Sequence, residues 1–302
     1  MITHDDESRP GFGNCDFLRE YLAQAPAALA LLRAIECREL AGLEFARPIL
    51  DVGCGDGLLA QVLFEKRPVD ESCFPITVGR NKTRPEVGLD RSPRELRSAI
   101  RRGSYQALVC ADVAALPFVD GCFATVLANG VLEHVHDVTG GLREIARVLR
   151  PGGRLIFTVP LVQEALQPGG APPWVGPRWR WLARLHARAY NKVFGQVNMH
   201  TLRAWRELLE RNGLTLVHHH TYSPKDVFRL HSLMLFASLP SLLSKRLTGR
   251  WIMFPALRRA TWGALWARLL RRLYLLEDAG SGLWLLGVTR PTKDGSALST
   301  AS

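Results

Sequence analysis

Short apolar runs recur along the chain between longer stretches whose apolar residues return every three or four positions, the rhythm of buried strands alternating with amphipathic helices. Strands are predicted at Ile49–Val52, Val87–Asp90, Ala107–Cys110, Ala124–Ala128, Arg154–Val159, Leu214–Tyr222 and Leu283–Thr289. Helices are predicted from Cys15 to about Gly42 with a break at Pro26, from Leu58 to about Lys66, from about Pro93 to Arg102, over Leu142–Leu149 and over His200–Asn212. Arg150-Pro151-Gly152-Gly153 reads as a helix stop and turn. This alternation predicts an α/β fold, a mostly parallel sheet with helices on both faces.

The pattern divides the chain into an N-terminal helical segment placed as a lid (1–46), an α/β domain (47–228), a basic helical insert (229–280), a final strand (281–291) and a polar tail (292–302). Gly57 and Asp90 stand 33 residues apart. The usual spacing from such a turn to the next strand-end acid is about 20, so the proline- and charge-rich stretch 67–86 reads as an inserted loop.

The run from Ile49 to Ala60 passes from an apolar strand through Asp51 and glycines at 53, 55 and 57 into an apolar helix start. Glycine lets the backbone turn sharply and leaves no side chain between it and a ligand. A dinucleotide fingerprint needs its third glycine three residues after the second, and Leu58 stands there instead. A carboxylate just before the turn would repel a pyrophosphate and suits a cationic ligand. Asp90 closes the second strand and can accept two ribose hydroxyls; as a helix cap it is redundant, because Ser92-Pro93 can start that helix alone. Asp112 follows the third strand, where it could take an adenine amino group or be an ordinary loop acid. Residues 129–137 leave the carboxyl end of the fourth strand, the edge where open α/β sheets hold ligands.

These blocks, ILDVGCGDG, VGLD, ADVAALPFVDGCF, NGVLEHVHD and EIARVLRPGGRLIFTVP in that order, resemble the class I S-adenosylmethionine-dependent methyltransferases, and most of all those acting on small molecules and lipids. The resemblance covers about residues 47–160. It implies a Rossmann-like class I methyltransferase fold, with a seven-stranded sheet ordered 3-2-1-4-5-7-6 and its last strand antiparallel. It also implies S-adenosyl-L-methionine as cofactor, held by Asp51, Gly53, Cys54, Gly55, Gly57, Asp90, Arg91, Asp112, Val113, Asn129 and Gly130. The expected reaction is methyl transfer to a small organic or lipid-linked acceptor, at oxygen sooner than carbon. An RNA or protein methyltransferase, or a catalytically silent subunit that only binds cofactor, are the rival readings. No NPPY-type amino-methylating motif follows the fourth strand, where Asn129-Gly130-Val131 stands.

Composition narrows the partners. The 302 residues carry a formal charge of +11, which calls for an anionic partner: nucleic acid, anionic lipid or a phosphorylated substrate. Residues 229–280 hold nine Lys/Arg against Glu277 and Asp278. Within them, apolar positions 262, 265, 266, 269, 270, 273 and 276 share one helical face, with Arg268, Arg271 and Arg272 opposite. That helix is either a lid on the domain or an interfacial element on an anionic membrane. A second insert, 163–197, carries Trp174, Trp179, Trp181 and Tyr190 among unpaired arginines. No RNA-binding module is recognisable, and nucleic acid is not expected. Six cysteines without metal spacing, a polar acidic start and no charge-free apolar run of membrane length place the protein in the cytoplasm, with peripheral contact at the inner membrane face open. No metal is expected, and the oligomeric state is left open.

Methyl transfer displaces a neutral sulfide, so positioning can supply much of the catalysis. A base is needed only where the acceptor must lose a proton early, and histidine suits neutral pH. His136 on the post-strand loop and His200 at a helix start are the catalytic candidates, with Tyr190 behind them; His134, in the LEH block, is expected to be structural. His218-His219-His220 lie on one strand and cannot all converge on a metal.

Overall fold

The computed structural model describes residues 16–65, 84–161, 197–223, 262–276 and 284–291, with single positions between 227 and 252. Most of the predicted inserted loop 67–86, residues 163–196 of the second insert with Tyr190, and most of 229–261 lie outside the described residues.

Seven strands form one sheet: β1 (Ile49–Val52), β2 (Val87–Asp90), β3 (Ala107–Cys110), β4 (Phe123–Asn129), β5 (Leu149–Pro160), β6 (Leu214–Tyr222) and β7 (Trp284–Pro291). Their order is β3-β2-β1-β4-β5-β7-β6. The pairs from β3 to β5 are parallel, and β7 runs antiparallel to both its neighbours. The strand order reverses between β1 and β4, so the crevice outside their carboxyl ends is the natural ligand site.

Helices α1 (Phe17–Gln24), α2 (Ala27–Ala41), α3 (Leu58–Glu65) and α4 (Pro93–Arg102) pack on one face, joined there by α7 (Trp262–Tyr274). The opposite face is covered by α5 (Val138–Val148) and α6 (Leu202–Arg211), whose Leu142, Ile145, Trp205 and Leu209 are buried. Starts and stops follow local chemistry. Asp16, Ser92, Asp137 and Thr201 each cap the amide three residues on, and Gly103 closes α4 in the left-handed conformation. Pro26 separates α1 from α2, as the sequence predicts.

Two predicted boundaries move by more than two residues. The Pro-Gly-Gly segment is not a free turn but part of β5: Leu149 pairs with Phe123 and Arg154 with Thr125, and the extra residues are absorbed as a register shift. Helix α5 begins four residues earlier than predicted because Asp137 accepts Gly140 N–H at 2.8 Å, which brings both glycines into the first turn.

Candidate cofactor and acceptor site

The turn between β1 and α3 is held from outside itself. Cys54 N–H donates to the Leu89 carbonyl at 3.0 Å, and Gly55 N–H donates to Asp90 Oδ2 at 2.9 Å. The other Asp90 oxygen accepts Ser92 N–H at 2.8 Å. Asp90 therefore pins the turn to β2 and the entry to α4, while each of its oxygens keeps a second lone pair for a ligand.

The three glycines have different reasons. All take positive φ, +67° at Gly53, +56° at Gly55 and +76° at Gly57. A Cβ on Gly53 would run into Val131, and one on Gly57 would sit 3.3 Å from Ala99 and 3.1 Å from Ser104 Oγ. A Cβ on Gly55 would meet nothing within 4 Å. Gly53 and Gly57 thus serve packing, whereas Gly55 exposes bare backbone to open space, the cradle that a bound nucleoside would fill.

Asp51 lies beneath this turn, 2% exposed. Burial raises its carboxyl from 3.8 to about 7. Tyr105 Oη, donating at 2.6 Å to Oδ2, opposes that rise, and the Asp90 charge adds to it. Tyr105 crosses from the β3 approach to lie over Gly88, where a Cβ would be 2.9 Å from its ring. A buried acid near 7 is poised to ionise beside a cation, as an ammonium- or sulfonium-bearing ligand requires.

The remaining predicted residues are spread along the same edge. Asp112 is exposed, with Oδ1 accepting Ala114 N–H at 2.9 Å, and Val113 beside it is buried against Gly141. Arg91 is exposed between Asp90 and Ser92. Asn129 and Gly130 end β4. Gly130, at φ +62°, donates its N–H to Thr158 Oγ1 at 2.9 Å, and that hydroxyl lies 3.0 Å from Asn129 Oδ1.

The two catalytic candidates differ. His136 is exposed in the turn after a 3-10 segment at Leu132–His134. His200 forms a bridge with Leu161, and its ring meets Trp205 edge-on at 5.1 Å, so it is packed against α6 before any ligand arrives. The chain leaving the 163–197 insert rejoins this edge: Val197 and Asn198 N–H both donate to the Glu133 carbonyl, at 2.8 and 3.0 Å. His134 Nε2 is 3.7 Å from Glu133 Oε1.

The sequence reading missed Glu36 and Arg33 behind these residues and took the Glu133-His134 pair as loop structure. Glu36 and Glu133, each 1% exposed, and Arg33 converge on the ends of β4 and β5. The available signal was Arg33 and Glu36 three residues apart inside the apolar helix ALALLRAIEC.

A glycine turn after the first strand, an acid clasping it from the second, and a 3-2-1-4-5-7-6 sheet define the S-adenosylmethionine-dependent class I methyltransferase fold. Residues 50–157 match the family described as Methyltransferase domain, so the chain carries that domain, whose cofactor is S-adenosylmethionine. The chain is 31% identical over 156 residues to a malonyl-[acyl-carrier protein] O-methyltransferase of Pseudescherichia vulneris, covering 49% of this chain and 59% of that protein. It is 37% identical over 108 residues to a demethylmenaquinone methyltransferase of Thermus thermophilus, covering 36% of this chain and 44% of that one. Both alignments span less than two thirds of the relative's own length. A solved structure from Galdieria sulphuraria, assigned as a sarcosine dimethylglycine methyltransferase, shares the fold at TM-score 0.53 and 18% identity, over 90% of each chain.

Proposed function

We propose that this protein is an S-adenosylmethionine-dependent methyltransferase acting at oxygen on a small organic or lipid-linked acceptor. The observation that carries the reading is the Asp90-clasped turn, with Gly55 open above a buried Asp51. Asp90 would hold the ribose, Asp112 the adenine and Asp51 the cationic amino-acid end, while Gly53, Cys54, Gly57, Arg91, Val113, Asn129 and Gly130 shape the cleft. The bound cofactor supplies an activated methyl on a sulfonium. The chain's own part is to orient the acceptor in line and exclude water. His136 and His200 are the candidates on this edge to take a proton from the acceptor.

The acceptor class is supported by relatives acting on an acyl-carrier-bound malonyl group and on a demethylmenaquinone. Helix α7 supports the lipid side. Its Trp266, Ala267, Leu270, Leu273 and Tyr274 pack against the apolar cluster that contains α1 and α2, as a lid would. Leu265 and Leu269 stay 47% and 60% exposed, in line with the exposed Arg268 and Arg272. Arg268 and Arg272 flank these leucines and do not stand opposite them as the sequence pattern predicts: positions 265, 268, 269 and 272 share one helical stripe of leucines and arginines, the composition that seats on anionic lipid. Among the described residues no helix is long and apolar enough to cross a membrane.

Incubation with methyl-labelled S-adenosylmethionine and fractionated cell extract tests this reading. Label is expected in the lipid or small-molecule fraction. Label confined to RNA, or to protein in a form that thioester cleavage does not release, would overturn the acceptor class, and cofactor binding without any transfer would favour a silent subunit. Liposome flotation tests α7: changing Arg268, Arg271 and Arg272 to Glu is expected to abolish binding to anionic vesicles, and unchanged binding sinks the membrane contact.

A further inference from the structure

Glu36 is buried at the ligand edge, where two donors and a hydroxyl shared with Asn129 surround it. Oε2 accepts Arg33 Nη1 at 2.5 Å, while Oε1 accepts Tyr222 Oη at 3.0 Å and lies 3.2 Å from the Thr158 hydroxyl. The carboxylate is thus shared among α2, β5 and β6, and Arg33 supplies one contact of several. A buried acid paired this fully costs desolvation energy that a hydrophobic substitute would not, so its presence needs a reason beyond stability.

Arg33 supplies that reason. Its side chain is 31% exposed. Beyond the bond to Glu36, its other N–H groups have no hydrogen-bond partner among the described residues. The guanidinium lies over Gly130, the first residue after β4: a Cβ there would be 3.2 Å from Nη1 and 3.5 Å from Nη2. Gly130 leaves this face of the arginine open where Asn129 and Gly130 meet the cofactor cleft. A planar guanidinium gripped at one corner offers its remaining donors in fixed geometry, suited to a carboxylate.

Glu133 is a second, independent sign of a ligand here. It is 1% exposed, its Oε1 would be 3.6 Å from the same Cβ position, and its Oε2 has no hydrogen-bond partner among the described residues. Burial lifts its carboxyl to about 8, so at pH 7 it is mostly neutral and adds no second negative charge beside the Arg33–Glu36 pair.

We propose that Arg33, held in place by Glu36, is the anchor for a ligand carboxylate at the junction of cofactor and acceptor. This rests on the methyltransferase reading. The carboxylate has two possible sources: the amino-acid end of the cofactor, or an acidic group on the acceptor.

Three proteins distinguish them: wild type, Arg33→Gln, and the double variant Arg33→Gln/Glu36→Gln, which strands no buried carboxylate. Each is titrated with S-adenosylhomocysteine and with 5′-methylthioadenosine, the same nucleoside without the amino-acid carboxylate. If the cofactor supplies the carboxylate, both variants lose about tenfold or more in affinity for the first and nothing for the second. If the acceptor supplies it, both affinities hold, and labelling of the anion-exchange-retained acceptor fraction falls about tenfold. Unchanged affinity with unchanged labelling overturns the anchor, as does equal loss of both nucleosides in the double variant. Failure of the wild type to bind S-adenosylhomocysteine instead overturns the methyltransferase reading, and the anchor with it.

Discussion

Asp51 should couple cofactor binding to proton release. Its carboxyl is 2% exposed, and burial holds it near 7, with the Tyr105 hydroxyl at 2.6 Å pulling the other way. At pH 6 such a group is roughly nine-tenths protonated, and at pH 8 roughly one-tenth. A cation placed against it favours the carboxylate and drives the proton off. S-adenosylhomocysteine, through its ammonium, should therefore release about 0.9 proton at pH 6 and about 0.1 at pH 8. Affinity should rise by up to about tenfold per pH unit below 7 and level off above it. Calorimetry at each pH in two buffers of different ionisation enthalpy reads the proton count directly. Asp51→Asn should abolish both the release and the slope. Tyr105→Phe removes the bond that lowers this carboxyl, so it should move the slope to higher pH. No release at pH 6, or a slope that survives Asp51→Asn, would refute the placement of a cation at Asp51.

Three further outcomes follow from the same geometry. Glu133 ionises near 8 in the fold against 4.5 ordinarily, so the folded state holds a proton that the unfolded chain has lost, and stability should fall as pH rises from about 4.5 to about 8. Glu133→Gln should remove that decline; urea titrations at pH 5 and pH 8.5 should show the variant gaining on wild type at the higher pH only, and equal differences at both would contradict the assignment. Gly53→Ala combines a left-handed backbone with collision against Val131, and urea titration should show a loss of about 2 kcal/mol or more. Gly55→Ala should cost only about 1 kcal/mol by the same measurement, since its Cβ meets nothing, yet it should weaken S-adenosylhomocysteine because that Cβ points into the cradle. Equal affinity for wild type and Gly55→Ala would move the nucleoside elsewhere.

The sheet was readable in the sequence because most strands are short apolar runs ending at or near an acid, a glycine or a proline. Ile49–Val52, Val87–Asp90, Ala107–Cys110 and Leu214–Tyr222 match residue for residue. The glycine turn was readable because three glycines alternate directly after an apolar strand, and glycine takes left-handed backbone at least cost. What each one does was not, since Val131, Ala99 and Ser104 reach the turn only through tertiary packing. The continuation of β5 through Pro151 was hidden because local propensity favours a turn there, and pairing with β4 overrides it. Glu36 was hidden for a topological reason: its hydroxyl partners Thr158 and Tyr222 lie 122 and 186 residues away. The apolar face assigned to the α7 region was half right in effect. Leu270 packs on the domain, while Leu265 and Leu269 on the same predicted face remain exposed.

The central claim is that S-adenosylmethionine sits on the turn between β1 and α3. A crystal structure grown with S-adenosylhomocysteine tests it most directly. The account predicts the ribose against Asp90, the adenine beside Asp112 and the amino-acid end over Gly55 and Asp51. A nucleoside bound away from that turn, or none bound at millimolar ligand, would contradict it.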